Sequence, residues 1–202
     1  KICGAKVFLK NEYEQKTGSF KIRGAYYKIK SLTDEQKSKG VVAASAGNHS
    51  QGVAFASNIE NIPCTIVMPR TASPAKVAAT KSYGAKVVLE GSTYDESWDH
   101  AQKISAETNA TVIHAFDDSN VIAGQGVIGL EIMEELPDVD EIYVPIGGGG
   151  LVAGIITAVK EKHPRVKIIG VESSAYPAMK KSLESNSLET VSGDTTIADG
   201  IS

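Results

Sequence analysis

Three short stretches hold residue types that could do chemistry. In the first, Thr17, Gly18 and Ser19 make a polar turn of helix-capping residues, so a helix is expected to start near Phe20 with Lys21 in its first turn. The helix dipole there disfavours a cation and lowers the amine pKa, which suits a nucleophile; an isolated lysine is otherwise a solvated residue on an amphipathic helix. In the second, Ser45, Ala46, Gly47, Asn48 and His49 follow directly on an apolar run. Main-chain N–H groups then converge at a helix N-terminus and can bind a carboxylate or phosphate, although the same residues also serve as simple caps. His49, standing alone, reads first as a packed or hydrogen-bonded residue. In the third, Gly147, Gly148, Gly149 and Gly150 expose their N–H groups unobstructed, a nest sized for a phosphate monoester.

The third stretch has a rival reading. Residues 148–153, Gly-Gly-Gly-Leu-Val-Ala, satisfy GxGxxA, and Glu172 ends the next apolar run where a ribose-binding acid belongs. That would make a dinucleotide site of an NAD-binding oxidoreductase, but it leaves Lys21 and the Ser45 to His49 turn without a role. Glu172 could equally be a solvated strand-end carboxylate.

The elements that must position these residues alternate in type. Apolar, β-branched runs at 6–10, 41–45, 64–69, 86–91, 111–115, 142–147 and 167–172 are candidate strands. Segments 18–31, 50–58, 74–83, 94–108, 120–136 and 151–163 repeat apolar residues every three or four positions and are candidate helices. Strand and helix in succession require crossover connections, which favours an α/β fold with mostly parallel sheets flanked by helices.

The composition excludes several partners. A formal net charge of -3 over 202 residues leaves no basic surplus for nucleic acid, and no apolar run approaches the roughly 20 residues that span a bilayer. Cys3 and Cys64 stand apart without a ligand cluster, so no metal is expected and a reducing cytoplasm is. The first candidate strand begins close to Lys1 and the chain stops soon after Ala198, Asp199 and Gly200, so a fragment of a longer catalytic chain is expected.

The strings TGSFKIRGA, SAGNHSQGVA and PIGGGGL together resemble the fold-type II pyridoxal phosphate enzymes, and within them the threonine dehydratase and serine racemase branch. The resemblance implies two open, mostly parallel sheets, with residues 1–38 and 116–202 in a large cofactor lobe and 39–115 in a small lobe carrying the substrate loop. It implies pyridoxal 5'-phosphate held by Lys21 as a Schiff base, with Phe20 against its ring, Asn48 on its phenolic oxygen and Gly147 to Gly150 on its phosphate. Ser45, Ala46, Gly47, Asn48 and His49 would take the substrate carboxylate. The implied reaction is dehydration and deamination of L-threonine or L-serine, by a homo-oligomer acting on a small amino acid. Racemases of this family carry a serine, as second base, where Ala46 stands, so elimination is expected to dominate over racemisation. In relatives that bind a divalent cation a glutamate matches Glu172, but the later carboxylate position is Ala178, which argues against a metal. Residues 196–200 and Gly124 to Gly126 also match the family, the former near the cofactor.

Overall fold

The computed structural model of the chain describes residues 4–193 and 196–201. Its first sheet is four parallel strands, β1 (Val41–Ala44), β2 (Cys64–Met68), β3 (Lys86–Leu89) and β4 (Thr111–Val112), in the order β3-β2-β1-β4. Helices α3 (Asn48–Ile59), α4 (Pro74–Ser82) and α5 (Tyr94–Thr108) make the crossovers that parallel pairing demands. Side chains alternate across a strand, so Val41 and Ala43 enter one core while Val42 and Ala44 enter another beside Ala101 and Trp98 of α5. With both faces covered, β1 is buried throughout.

Helix α1 (Lys21–Lys30) contributes Ile22, Ala25 and Ile29 to the first of these cores and packs against α3. Between it and β1 lies the short α2 (Asp34–Lys39), closed by a capping box of Thr33 and Gln36. The second sheet is a parallel pair, β5 (Glu141–Pro145) with β6 (Lys167–Val171), in register from Glu141 on Lys167 to Pro145 on Val171. Ile142 and Val144 meet α6 (Ser119–Glu135) and α7 (Gly150–Lys160) on one face, whereas Tyr143 on the other is exposed. Helix α8 (Ala178–Ser185) follows β6.

The run at 6–10, expected as a strand, is not one. No described strand pairs with it, and Val7, Phe8 and Leu9 are 68%, 62% and 80% exposed. The expected strand at 111–115 also ends early, after Val112, because the chain turns at His114.

Glycines set the helix crossings. A Cβ on Gly124 would stand 2.7 Å from Cα of Gly24, so α1 and α6 touch main chain to main chain. The crossing is pinned by buried Gln125, whose Oε1 accepts from the Gly24 amide at 3.2 Å. Gly126 meets Gly154 in the same way where α6 crosses α7. Substituents at these positions would hold the helices apart, and with them the starts of α1 and α7.

Candidate active site

Lys21 opens α1. The cap residue is Phe20, and no side chain caps the helix; the hydroxyls of Thr17 and Ser19 are buried without partners instead of capping as expected. Lys21 Nζ donates to the carbonyl oxygen of Ala115 at 2.8 Å and lies 5.4 Å from the centre of the Phe20 ring. Burial of the amine lowers its pKa to about 8, so the shift expected from the helix dipole has desolvation as its cause. At pH 7 about one amine in ten is then the free base, enough for a nucleophile or a proton acceptor.

The turn from β1 into α3 holds the second stretch. Ser45 continues the pairing of β1 through its amide to Val67 O at 3.1 Å, and its Oγ accepts from the Gly47 amide at 3.1 Å. Gly47 is the cap of α3 and offers no side chain, while Ser50 Oγ bonds back to Gly47 O at 2.6 Å. The first amides of α3 are therefore left without a side-chain cap. Ala46 packs against the first core, Asn48 is exposed, and a Cβ on Gly47 would meet nothing within 4 Å, so the space before the turn is open. His49 is 3% exposed, and burial lowers its pKa to about 3. The ring is thus neutral, Nε2 donates to Ile113 O at 2.9 Å, and Nδ1 is buried without a partner.

The glycine loop joins β5 to α7. Gly149 has φ +87°, a backbone conformation costly for any other residue. Gly148 lies flat under the Phe116 ring, and a Cβ on Gly150 would stand 2.6 Å from Phe116 O. Gly147 abuts the turn at Gly200 and Ile201. The amides of Gly147, Gly148 and Gly149 donate to no described residue, so they form a free nest before a helix N-terminus. Two of the four glycines are thus required by Phe116, a constraint separate from anion binding.

Glu172 is already engaged. Its Oε1 accepts from the Met179 amide at 2.8 Å and its Oε2 from the Lys180 amide at 2.9 Å, capping α8 from a distance. A ribose diol or a cation would have to share a carboxylate already held by α8, and no cluster of three metal-ligating side chains occurs among the described residues.

Residues 113–116 connect these parts, and the sequence pattern offered no sign of it. Ile113 O takes His49, Ala115 O takes Lys21, and Phe116 seats Gly148 and Gly150. Between them, His114 Nδ1 accepts from the amides of Phe116 at 3.3 Å and Asp117 at 2.7 Å. The amine, the Ser45 to His49 turn and the glycine nest thus gather round one bend. Arg23 pairs with Glu12 and Glu131, and Lys28 with Asp118, which removes both cations from the site. Cys64 is buried and free, its thiol pushed up to about 12 by burial; Cys3 lies outside the described residues.

A family model described as pyridoxal-phosphate dependent enzyme matches residues 1–202. The chain is 54% identical over 200 residues to an L-threonine ammonia-lyase of Thermotoga maritima, covering 99% of the chain and 50% of the relative. It is 51% identical over 199 residues to a catabolic L-threonine dehydratase of Staphylococcus aureus, covering 98% and 58%. Among solved structures, the processed form of threonine deaminase isoform 2 from Solanum lycopersicum superposes with a TM-score of 0.92 at 44% identity, over 95% of this chain and 53% of that one. Maize serine racemase superposes at 0.91 and 39%, over 94% and 58%. The chain thus spans about half the length of the relatives it matches.

Proposed function

The chain belongs to the pyridoxal-phosphate dependent enzyme family, and from that premise we propose that it acts as a threonine ammonia-lyase, converting L-threonine to 2-oxobutanoate and ammonia, and L-serine to pyruvate and ammonia. One observation carries the reading. Lys21 Nζ bonds to Ala115 O, and the very next residue, Phe116, seats the glycine nest, so adjacent residues hold the amine and the anion cradle.

The residues fit the cofactor of the family. Among the described residues the nest amides lack acceptors and the buried amine, its pKa lowered, has no carboxylate partner, and open space lies before Gly47. When bound, pyridoxal phosphate supplies the electron sink that makes a substrate α-proton labile. Lys21 would hold the cofactor through its amine and, with that amine free, would accept the substrate α-proton, for which a pKa near 8 is suited. Gly147 to Gly150 and the start of α7 would hold the phosphate by main-chain N–H groups, and Phe20 would line the ring. Ser45, Ala46 and Gly47 with the start of α3 would orient the substrate carboxylate, and Asn48 would take the phenolic oxygen. His49, neutral and bonded to Ile113 O, anchors that turn instead of moving a proton. The β-hydroxyl leaves as water and the released enamine takes one water back, so the net reaction yields oxo acid and ammonia without redox change.

Ala46 separates this reading from a racemase, because a methyl group cannot return a proton from the opposite face. The reading also takes residues 39–115 as a small substrate lobe against a large one of 1–38 and 116–202, in a cytoplasmic homo-oligomer. Measuring oxo acid and D-amino acid together from L-threonine and L-serine tests the reaction, with borohydride fixing the cofactor at Lys21 for mass analysis. Oxo acid in large excess is expected. Racemised serine without pyruvate would replace the lyase by a racemase, and a protein that takes up no pyridoxal phosphate would remove both.

A further inference from the structure

The geometry assigns a positioning role to His114: its Nδ1, by gathering the amides of Phe116 and Asp117, folds the bend that presents Ala115 O to Lys21 and Phe116 to the glycine loop. Four consecutive residues each hold a different part of the site. Ile113 O holds His49 at 2.9 Å, His114 holds the bend, Ala115 O holds Lys21 at 2.8 Å, and Phe116 fills the space over Gly148 and Gly150. The His114 ring is itself fixed edge-on between Trp98, 5.0 Å away at 81°, and Phe116, 4.7 Å away at 82°. A strand running straight on from β4 would send the next carbonyl and the next ring elsewhere. The bend is therefore what brings amine and nest together.

What the position needs is a short acceptor aimed at the amides two and three residues ahead. The same chain shows that an Asx side chain does this: Asp118 Oδ1 accepts from the amides of Asn120 at 2.8 Å and Val121 at 3.1 Å. Asparagine at 114 should thus keep the bend, whereas phenylalanine fills the slot beside Trp98 but accepts nothing. The device also depends on protonation, since an imidazolium has no lone pair on Nδ1. Burial and the nearby Lys21 cation hold His114 below the usual imidazole range, while Asp117 and Asp118 pull the other way. Asp118 is partly neutralised by Lys28, and the neighbouring His49 is neutral. At neutral pH the bend is closed, and acid opens it.

The inference rests on Lys21 being the cofactor lysine, and its test separates the two. Wild type, His114→Asn and His114→Phe are compared as apoprotein by Trp98 fluorescence against pH, and after loading by the visible circular dichroism and dissociation constant of pyridoxal phosphate. Wild-type Trp98 should be quenched in acid as the adjacent ring protonates, with the cofactor dichroism falling at the same midpoint. His114→Phe should weaken cofactor binding by about tenfold or more at pH 7; His114→Asn should restore most of it and lose the acid step. A Phe variant that binds as wild type, or an Asn variant as poor as Phe, overturns the role. Should the Phe variant misfold, the Asn variant decides alone: an acid limb kept in His114→Asn overturns it, and its loss supports it. A Lys21→Ala protein that still yields oxo acid would instead overturn the lysine assignment, leaving the Trp98 titration to report on the bend.

Discussion

Gly52 of α3 lies against the main chain of Lys21: a Cβ on it would stand 3.1 Å from the Lys21 carbonyl carbon and 3.2 Å from the amide nitrogen of Ile22. The helix that carries the Ser45 to His49 turn is thereby in contact, one turn in, with the very start of the helix that carries the amine. Backbone on backbone leaves no flexible side chain to move aside.

Gly52→Ala is therefore expected to misplace more than it destabilises. Alanine gains about 1 kcal/mol of helix propensity, and the tight contact costs about 1–3 kcal/mol, so the loss of stability should be under about 2 kcal/mol. The displacement falls directly on Lys21, and pyridoxal phosphate affinity should drop while far-UV circular dichroism is kept. Gly52→Val, which adds two more methyl groups and no propensity gain, should lose both. Urea melts and cofactor titration of the two variants check the order.

Lys21 itself is a stability liability in the apoprotein. Its pKa is about 8 when folded against 10.5 ordinarily, through burial. Below pH 8 both states hold the proton and the full penalty applies; between 8 and 10.5 the unfolded state binds more protons, so stability rises with pH. Lys21→Met should stabilise the apoprotein by up to about 3 kcal/mol at pH 7, with the gain shrinking above pH 8, and should abolish oxo acid formation. Denaturation at pH 7 and at pH 9.5 measures both parts.

His49 acts with the same sign in a lower pH window. Its folded pKa is lowered to about 3 by burial, with the Lys21 cation adding to the effect, so its contribution is complete above the usual 6.5 and is lost as pH falls toward 3. Each pH unit in that window costs about 1.4 kcal/mol for this one group. His49→Gln, which can still donate to Ile113 O but does not titrate, should flatten the acid limb by close to one proton. Urea midpoints from pH 4 to 7 would show it, and an unchanged slope would mean that the ring is solvated.

Elements whose signal is local were legible in the sequence. Helix α5 runs over the expected 94–108 because Thr93 caps Glu96 at one end and Asn109, at φ 58°, stops it at the other. Six-residue α2 carries a capping box, Thr33 to Gln36, yet it is too short for an apolar period to show. At 6–10 the apolar run of a strand is present but no partner strand occurs among the described residues, and a strand is defined by its partner. Within the candidate site, Lys21, Asn48 and the four glycines lie in motifs. His114, Ala115 and Phe116 do not, because what they offer is a ring nitrogen, a carbonyl and a face, which no spacing rule records.

Phe116 makes a last prediction that separates two reasons for glycine at 148. If glycine is there only so that its amide is accessible to an anion, Gly148→Ala should weaken phosphate binding whatever stands at 116. The structure puts the Phe116 ring where the new methyl would go, so Gly148→Ala is expected to cost about 1–3 kcal/mol of stability through overpacking. Phe116→Ala alone removes the whole ring, including the Cγ and Cδ atoms that the methyl would meet, and should cost about 3–5 kcal/mol. In the double variant the smaller side chain makes room for the methyl, and the two losses should fall short of their sum by about 1 kcal/mol or more. Phosphate binding should recover with it, because the nest amides belong to the main chain and return when the loop does. Strict additivity in urea melts, with binding still lost, would assign the glycine to the ligand instead.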